Sequence, residues 1–290
     1  MKELIVISGK GGTGKTSIAA SFAVLANNAV LADCDVDAAD LHLILTPTLV
    51  ETHDFYSRNE AVIVRDKCTG CGICAEVCRF EAIRRDENEG EGAAYAVGRT
   101  GCEGCGVCVW CCPERAIDFP ERLCGRWMVS DTRRGPMVHA KLNAAAENSG
   151  KLVSIVRREA RRIAEETNRD TLIVDGPPGI GCPVIASVTG ASQVLVVTEP
   201  TVSGKHDLER VVSLTKHFGI PTFICVNKWD INPGMTEEIE RGAIEAGVSI
   251  AGRIRYDGAV TAAQIRGLAA VETGAHSDAD IREVWRVLGL

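Results

Sequence analysis

The chain has 290 residues, 46% of them apolar and 24% charged, with a formal net charge of -7. That balance predicts a soluble protein with a sizeable core and gives no global positive field to favour nucleic acid, leaving only a local basic patch open. No apolar run approaches the roughly 18 residues of a membrane span. The 13 cysteines, with no leader segment before the first strand, predict thiols kept reduced in a cytoplasmic location.

The apolar run from Leu4 to Ile7 predicts a strand that enters a glycine-rich loop. Gly9-Lys10-Gly11-Gly12-Thr13-Gly14-Lys15-Thr16 satisfies G-x-x-x-x-G-K-[ST] and is followed by a helical stretch, Ser17 to Ala26. Such a loop turns backbone N–H groups onto phosphate oxygens, and the helix N-terminus adds its positive end. Lys15 is expected on the β and γ phosphates and the Thr16 hydroxyl on Mg2+, with the cradle running from Gly9 through Ser17. Next comes an apolar segment ending in Asp33-Cys34-Asp35-Val36-Asp37, placed where parallel sheets collect ligands. Asp37 is read as the cap of the helix after it.

Two quartets follow, Cys68, Cys71, Cys74, Cys78 and Cys102, Cys105, Cys108, Cys112, each spaced C-x2-C-x2-C-x3-C. This spacing places three thiolates on one [4Fe-4S] cube and sends the fourth to a neighbouring cube. The expected ligand sets are Cys68, Cys71, Cys74 with Cys112, and Cys102, Cys105, Cys108 with Cys78. Phe80-Glu81-Ala82-Ile83 and Glu114-Arg115-Ala116-Ile117 repeat after the quartets, which suggests a pseudo-twofold unit. Pro113 follows the second quartet, whereas Arg79 holds that place in the first. Zinc is the competing occupant, but ribbons group two C-x2-C pairs around one ion and do not use eight thiolates in this pattern. Cys111 and Cys124 are read as structural or spare thiols.

Gly125 to Leu142 reads as a hairpin turning at Arg133-Arg134-Gly135-Pro136. Arg157, Arg158, Arg161 and Arg162, with Glu159, Glu165 and Glu166 nearby, read as a solvated helix face. Thr171-Leu172-Ile173-Val174-Asp175 is a buried-strand pattern ending in a carboxylate suited to Mg2+, and Gly176-Pro177-Pro178-Gly179 then breaks into a mobile loop. Val194 to Thr198 and Thr222 to Val226 supply two more strands. The second ends in Asn227-Lys228-Trp229-Asp230, which fits N-K-x-D and keeps GTP open beside ATP. Ile281, Val284, Trp285 and Leu288 form one helical stripe, expected to dock on the core. The six histidines form no metal-binding pair in sequence.

The G-K-G-G-T-G-K-T loop, the eight-cysteine insert, D-G-P-P-G-I-G-C-P and N-K-W-D together resemble the MinD-superfamily P-loop ATPases that contain an inserted ferredoxin domain. These are relatives of the nitrogenase iron protein, ParA/MinD and Mrp ATPases. The resemblance implies an α/β fold with a mostly parallel sheet, an ATPase domain over 1–60 and 121–290, and a bacterial-type 2[4Fe-4S] α+β ferredoxin domain over 61–120. It implies catalytic roles for Lys10, Lys15 and Asp35. Lys10 would reach a partner's nucleotide across a homodimer, and Asp35, with Asp33 as companion, would orient water or the Mg2+ shell. Asp175 would hold Mg2+, and Asn227, with Lys228 and Asp230, would meet the base; ATP is preferred over GTP because a phosphate loop of this type belongs mainly to ATPases. Cys182 stands seven positions past Asp175, at an offset similar to a cluster ligand of the nitrogenase iron protein, so an inter-subunit cluster is a hypothesis beside the preferred reading of a small buried residue on the following helix. The C-terminal C-x-x-C of Mrp carriers is absent from the sequence.

The function so implied is Mg-dependent ATP hydrolysis that controls dimerisation and the conformation of a two-cluster electron carrier. The acceptor would be an unidentified redox or metal-cofactor protein, with no nucleic acid and no membrane span. The alternatives are a scaffold or chaperone for metal-cofactor assembly, a MinD-like positioning or cell-division factor, and a ferredoxin with a vestigial ATPase.

Overall fold

The structure, a computed structural model, describes residues 1–86, 95–98, 100–143 and 149–290. The strands are β1 (Lys2–Ser8), β2 (Ala29–Asp33), β3 (Thr48–Asn59), β4 (Val62–Ile63), β5 (Ile83–Arg85), β6 (Tyr95–Val97), β7 (Ile117–Asp118), β8 (Glu121–Thr132), β9 (Gly135–Leu142), β10 (Thr171–Pro178), β11 (Gln193–Thr198), β12 (Thr222–Asn227) and β13 (Ser249–Ile254). The α-helices are α1 (Lys15–Leu25), α2 (Leu41–Leu45), α3 (Ile73–Glu76), α4 (Val107–Cys111), α5 (Ser149–Glu166), α6 (Cys182–Val188), α7 (Val202–His217), α8 (Pro233–Glu245), α9 (Gly258–Ile265) and α10 (Asp278–Val287). Contacts divide the chain into two compact units. One takes Met1–His53, Arg126–Lys141 and Ser149–Leu290; the other takes Asp54–Gly125 and the return from Leu142.

The first unit is organised by a sheet of order β13-β12-β11-β1-β10-β2-β9-β8-β3. Pairing is parallel from β13 through β9. Leu4, Ile5, Val6 and Ile7 of β1 are wholly buried, as expected for a central parallel strand covered on both faces. Helix α1 starts at Lys15, two residues before the stretch read from sequence, because Gly14 supplies the left-handed turn (φ 92°) that launches it.

Three expectations are corrected in this unit. Strand β10 does not break after Asp175 but continues through Pro178. Gly176 permits this, since a Cβ there would lie 2.6 Å from Ile7 Cγ2 and 3.0 Å from the Val6 carbonyl. Asp37 does not cap the next helix: Asp40 precedes α2, and Asp33 Oδ2 accepts from the Leu41 N–H at 3.1 Å. The arginine run is not uniformly solvated. Arg157 is buried, with Nε and Nη2 donating to Glu3 at 2.6 and 2.9 Å and Nη1 donating to the Thr189 carbonyl at 2.6 Å. Arg161 also pairs with Glu3, while Arg158 and Arg162 meet Glu159 on the surface.

The C-terminal stripe docks as expected. Ile281, Val284 and Leu288 are buried in the main core, and Trp285 lies against Phe22 with ring centroids 5.0 Å apart. The hairpin turns between β8 and β9, although its first strand already begins at Glu121.

The second unit is small. β4 pairs antiparallel with β7, and β5 with β6. Its buried centre is Ala61, Cys74, Ile83, Cys108 and Ile117. The repeat seen in sequence recurs in the backbone at a constant spacing of 34 positions. Gly70 and Gly104 have φ 71° and 64°, Gly72 and Gly106 have 84° and 74°, and the non-glycine pair Glu81 and Arg115 have 51° and 50°. Gly72 opens α3 and Gly106 opens α4, while Ile83 and Ile117 begin β5 and β7.

Candidate functional site

In the first unit the phosphate loop, the ends of β2 and β10 and helix α9 line a cavity of about 890 Å³. The walls include Gly11, Gly12, Gly14, Lys15, Thr16, Ser17, Asp35, Asn227 and Lys228. A Cβ at Gly11 or Gly12 would meet nothing within 4 Å, so the loop leaves an open cradle. Gly9 serves packing instead, because a Cβ there would lie 2.4 Å from Asp207 Cβ. Gly14 closes on Asn227, whose Nδ2 donates to the Thr13 carbonyl at 2.8 Å. Thr13 Oγ1 is buried without a hydrogen-bond partner among the described residues.

The charges beneath the loop are unbalanced. Lys15 is only 6% exposed, and its Nζ stands 3.4 Å from Asp35 Oδ2. Asp175, wholly buried, is paired in register with Asp33 on the neighbouring strand. Neither Asp175 carboxylate oxygen accepts a hydrogen bond from a described residue. Burial holds its carboxyl above the ordinary carboxylate range, and Lys15 and the Thr16 hydroxyl pull only partly the other way. Burial likewise raises Asp35 against the pull of Lys15. Asp33 is raised well above its ordinary value by burial and then by Asp175, although its oxygens accept from the Asp35 N–H at 3.2 Å and from Leu41. The two unpartnered Asp175 oxygens, near the Thr16 hydroxyl, are hard donors of the kind that Mg2+ takes, with its remaining positions left to water and phosphate.

Lys10 is held within its own chain, with Nζ 3.2 Å from Thr201 Oγ1, 3.2 Å from Ser203 Oγ and 3.5 Å from Glu199 Oε2. Lys228 pairs with the other Glu199 oxygen. Asp230 is turned to the Tyr256 N–H, which its Oδ1 accepts at 2.7 Å. The Ser17 hydroxyl accepts from Gln264 Nε2 at 2.7 Å. Glu199, Tyr256 and Gln264 were not singled out in sequence. Glu199 had a usable signal, an acid at the carboxyl end of an apolar strand, whereas Gln264 lies on a helix with no motif to mark it.

In the second unit Cys68, Cys71, Cys74 and Cys112 line one cavity together with Ile63, Tyr95 and Ile117. The set thus unites three members of the first quartet with the last member of the second. Burial raises the Cys74 thiol, and Cys68 and Cys71 add to it. Cys108 is pushed up to about 11 by burial, then by Cys102 and Cys105. Cys78, Cys102 and Cys112 pack half-buried against the same small core. Among the described residues no three His, Cys, Asp or Glu side chains are gathered to hold one metal ion. The Cys124 thiol donates to the Ser57 carbonyl at 2.9 Å, while Cys111 is exposed. Cys182, expected to be buried, is exposed at the start of α6.

A parallel sheet with a phosphate loop after its central strand and carboxylates at the neighbouring strand ends defines a P-loop nucleotide-binding protein. The chain belongs to the CobQ/CobB/MinD/ParA nucleotide binding domain family, whose model matches residues 4–271. An uncharacterised protein of Methanocaldococcus jannaschii is 34% identical over 233 residues, covering 79% of each chain. A putative septum site-determining protein MinD of Mesostigma viride is 24% identical, over 92% of this chain and 75% of its own. Among solved structures, the cell division ATPase MinD of Pyrococcus furiosus superposes with a TM-score of 0.57 at 16% identity, covering 99% and 98% of the two chains. MinD of Pyrococcus horikoshii, complexed with Mg-ADP, gives 0.56 at 15%, covering 99% and 95%. At these identities the structural likeness is one of fold. Among the described residues, no helix is long and apolar enough to cross a membrane.

Proposed function

We propose that the chain is a cytoplasmic Mg-dependent ATP hydrolase whose nucleotide state controls homodimerisation and the conformation of a two-cluster electron-transfer unit. The observation that carries the hydrolase reading is the pair of orphaned Asp175 oxygens beside Thr16 and Lys15. In this reading Lys15 binds the β and γ phosphates, Thr16 and Asp175 hold Mg2+, and Asp35 orients the attacking water. Bound Mg2+ supplies charge neutralisation on the phosphate oxygens. Lys10 exchanges Glu199, Thr201 and Ser203 for a partner's nucleotide when two copies close. Adenine is favoured over guanine because Asp230 Oδ1 already accepts from the Tyr256 N–H.

The electron-transfer reading rests on the mixed set of Cys68, Cys71, Cys74 and Cys112 around one cavity. Cys102, Cys105, Cys108 and Cys78 form the second set, and each bound [4Fe-4S] centre supplies a one-electron couple. A second reading, a positioning factor, is supported by the septum-site and cell-division names of the similar proteins. An anaerobic assay of Lys15→Ala separates the two. Loss of hydrolysis together with loss of the ATP effect on electron transfer supports the first reading. Hydrolysis lost with electron transfer indifferent to ATP throughout overturns the coupling.

A further inference from the structure

The two halves of the cysteine unit part company at one pair of equivalent glycines. A Cβ at Gly72 would meet the Tyr95 hydroxyl at 2.8 Å, whereas a Cβ at Gly106 would meet the Phe119 ring at 3.4 Å. Gly72 and Tyr95 both belong to the wall of the cavity ringed by Cys68, Cys71, Cys74 and Cys112. One half therefore carries a phenolic O–H where the other carries only a ring edge. Thr69 adds a second hydroxyl to the same wall. The rest of that wall is mostly apolar, through Ile63, Ile73, Ala116 and Ile117, and Glu114 is its one carboxylate. Glu114 is exposed, so water screens its charge. The Tyr95 hydroxyl makes no hydrogen bond with any described residue and is free to donate into the cavity.

We propose that Tyr95 is a tuning residue that donates its O–H toward the centre held by Cys68, Cys71, Cys74 and Cys112, so that this half accepts an electron before the half facing Phe119. This inference rests on the two-cluster reading given above. Hydrogen bonds to cluster sulfur and local polarity raise the reduction potential, because they stabilise the more negative reduced state. The step is one electron from an external low-potential reductant, dithionite in the test; no bond forms or breaks, and the phenol keeps its proton. Unequal halves order the electrons: the first to arrive rests behind Tyr95, and the second occupies the Phe119 half and is the more readily passed on.

The test uses the full chain reconstituted anaerobically with iron and sulfide, titrated potentiometrically and followed by electron paramagnetic resonance. Iron and sulfide are counted first, with about eight of each per chain expected for two cubes. Wild-type protein should show two separate one-electron steps. In Tyr95→Phe the higher step should fall by about 59 mV, an about tenfold loss of preference for that half, with the lower step unmoved. Phe119→Tyr should do the converse and raise the lower step. Unchanged steps in both variants at full iron content overturn the role of Tyr95 and leave the two-cluster reading standing. Wild-type protein without iron and sulfide overturns that reading and this inference with it. Should Tyr95→Phe fail to hold iron, Phe119→Tyr alone decides, and an unmoved lower step there counts against the proposal.

Discussion

The two units reach order by different means. The nucleotide unit buries whole strands: Leu4 through Ile7, Leu172 through Val174 and Val194 through Val197 are all at most 1% exposed. Among the described residues, the largest apolar cluster of the cysteine unit is small and includes two cysteines, Cys74 and Cys108. A core of that size contributes little against chain entropy, and small scaffolds of this kind need a staple. The lesson is that the first unit can present its site before any ligand arrives, whereas under the two-cluster reading proposed above the second would depend on what its thiolates bind.

The strongest way to break that contrast is to strip iron with a chelator under anaerobic conditions and follow amide hydrogen exchange. Amides of 61–86 and 100–120 should lose their protection while those of β1 and β10 keep theirs. Equal protection in both units after stripping would show that the cysteine unit stands on its small core alone. Next in size is Arg157→Ala, which leaves Glu3, 3% exposed, with only Arg161 as an ion-pair partner among the described residues. Breaking a buried pair costs about 3 kcal/mol, and urea unfolding should assign the loss to the nucleotide unit. A change under about 1 kcal/mol would mean that this unit is held by apolar burial without help from the pair.

The smallest effect concerns Asp175. Its carboxyl titrates above the ordinary 3.8 because burial disfavours the charge. The neutral form's contribution to stability is therefore complete below the unfolded value and lost as pH rises through the folded one. Asp175→Asn removes that cost, so without ligand it should gain about 1 kcal/mol at neutral pH and progressively less as pH falls toward 4. The same variant should lose the stabilisation that Mg2+ and nucleotide give the parent, read by thermal unfolding with and without both. A ligand-free variant no more stable than its parent at neutral pH would show that Asp175 finds an adequate partner in the empty site.

Much of the nucleotide unit was legible because its information is contiguous. The loop from Gly9 to Thr16 carries its own spacing, and Asp175 ends an unmistakable buried strand. What sequence could not read depended on distant partners. Arg157 looked solvated because its neighbours on the helix are charged, yet its partner Glu3 lies 154 positions earlier, in a strand that reads as apolar. Asp33 took the role expected of Asp37 because the end of β2 brings its carboxylate to the Leu41 N–H, eight positions on. The strand through Pro178 was hidden by residues that ordinarily signal a loop; Gly176 fits there only because Ile7 and the Val6 carbonyl crowd it. In the cysteine unit the repeat was visible in sequence, but the aromatic cover over Gly72 and Gly106 was not, since Tyr95 and Phe119 come from outside both quartets.

The recurrence of left-handed positions at Glu81 and Arg115 speaks to ancestry. Each takes a conformation that glycine adopts more easily, and each N–H there donates to the carbonyl of the last cysteine of its quartet, Glu81 to Cys78 at 3.3 Å and Arg115 to Cys112 at 3.2 Å. A shared awkwardness at a fixed interval is the mark of a duplicated segment, copied with its flaws. Cys112 of the later copy lines the same cavity as Cys68, Cys71 and Cys74 of the earlier one, so neither copy supplies that whole set by itself. Held in one chain, the two copies are free to differ, as Tyr95 over one glycine and Phe119 over the other show.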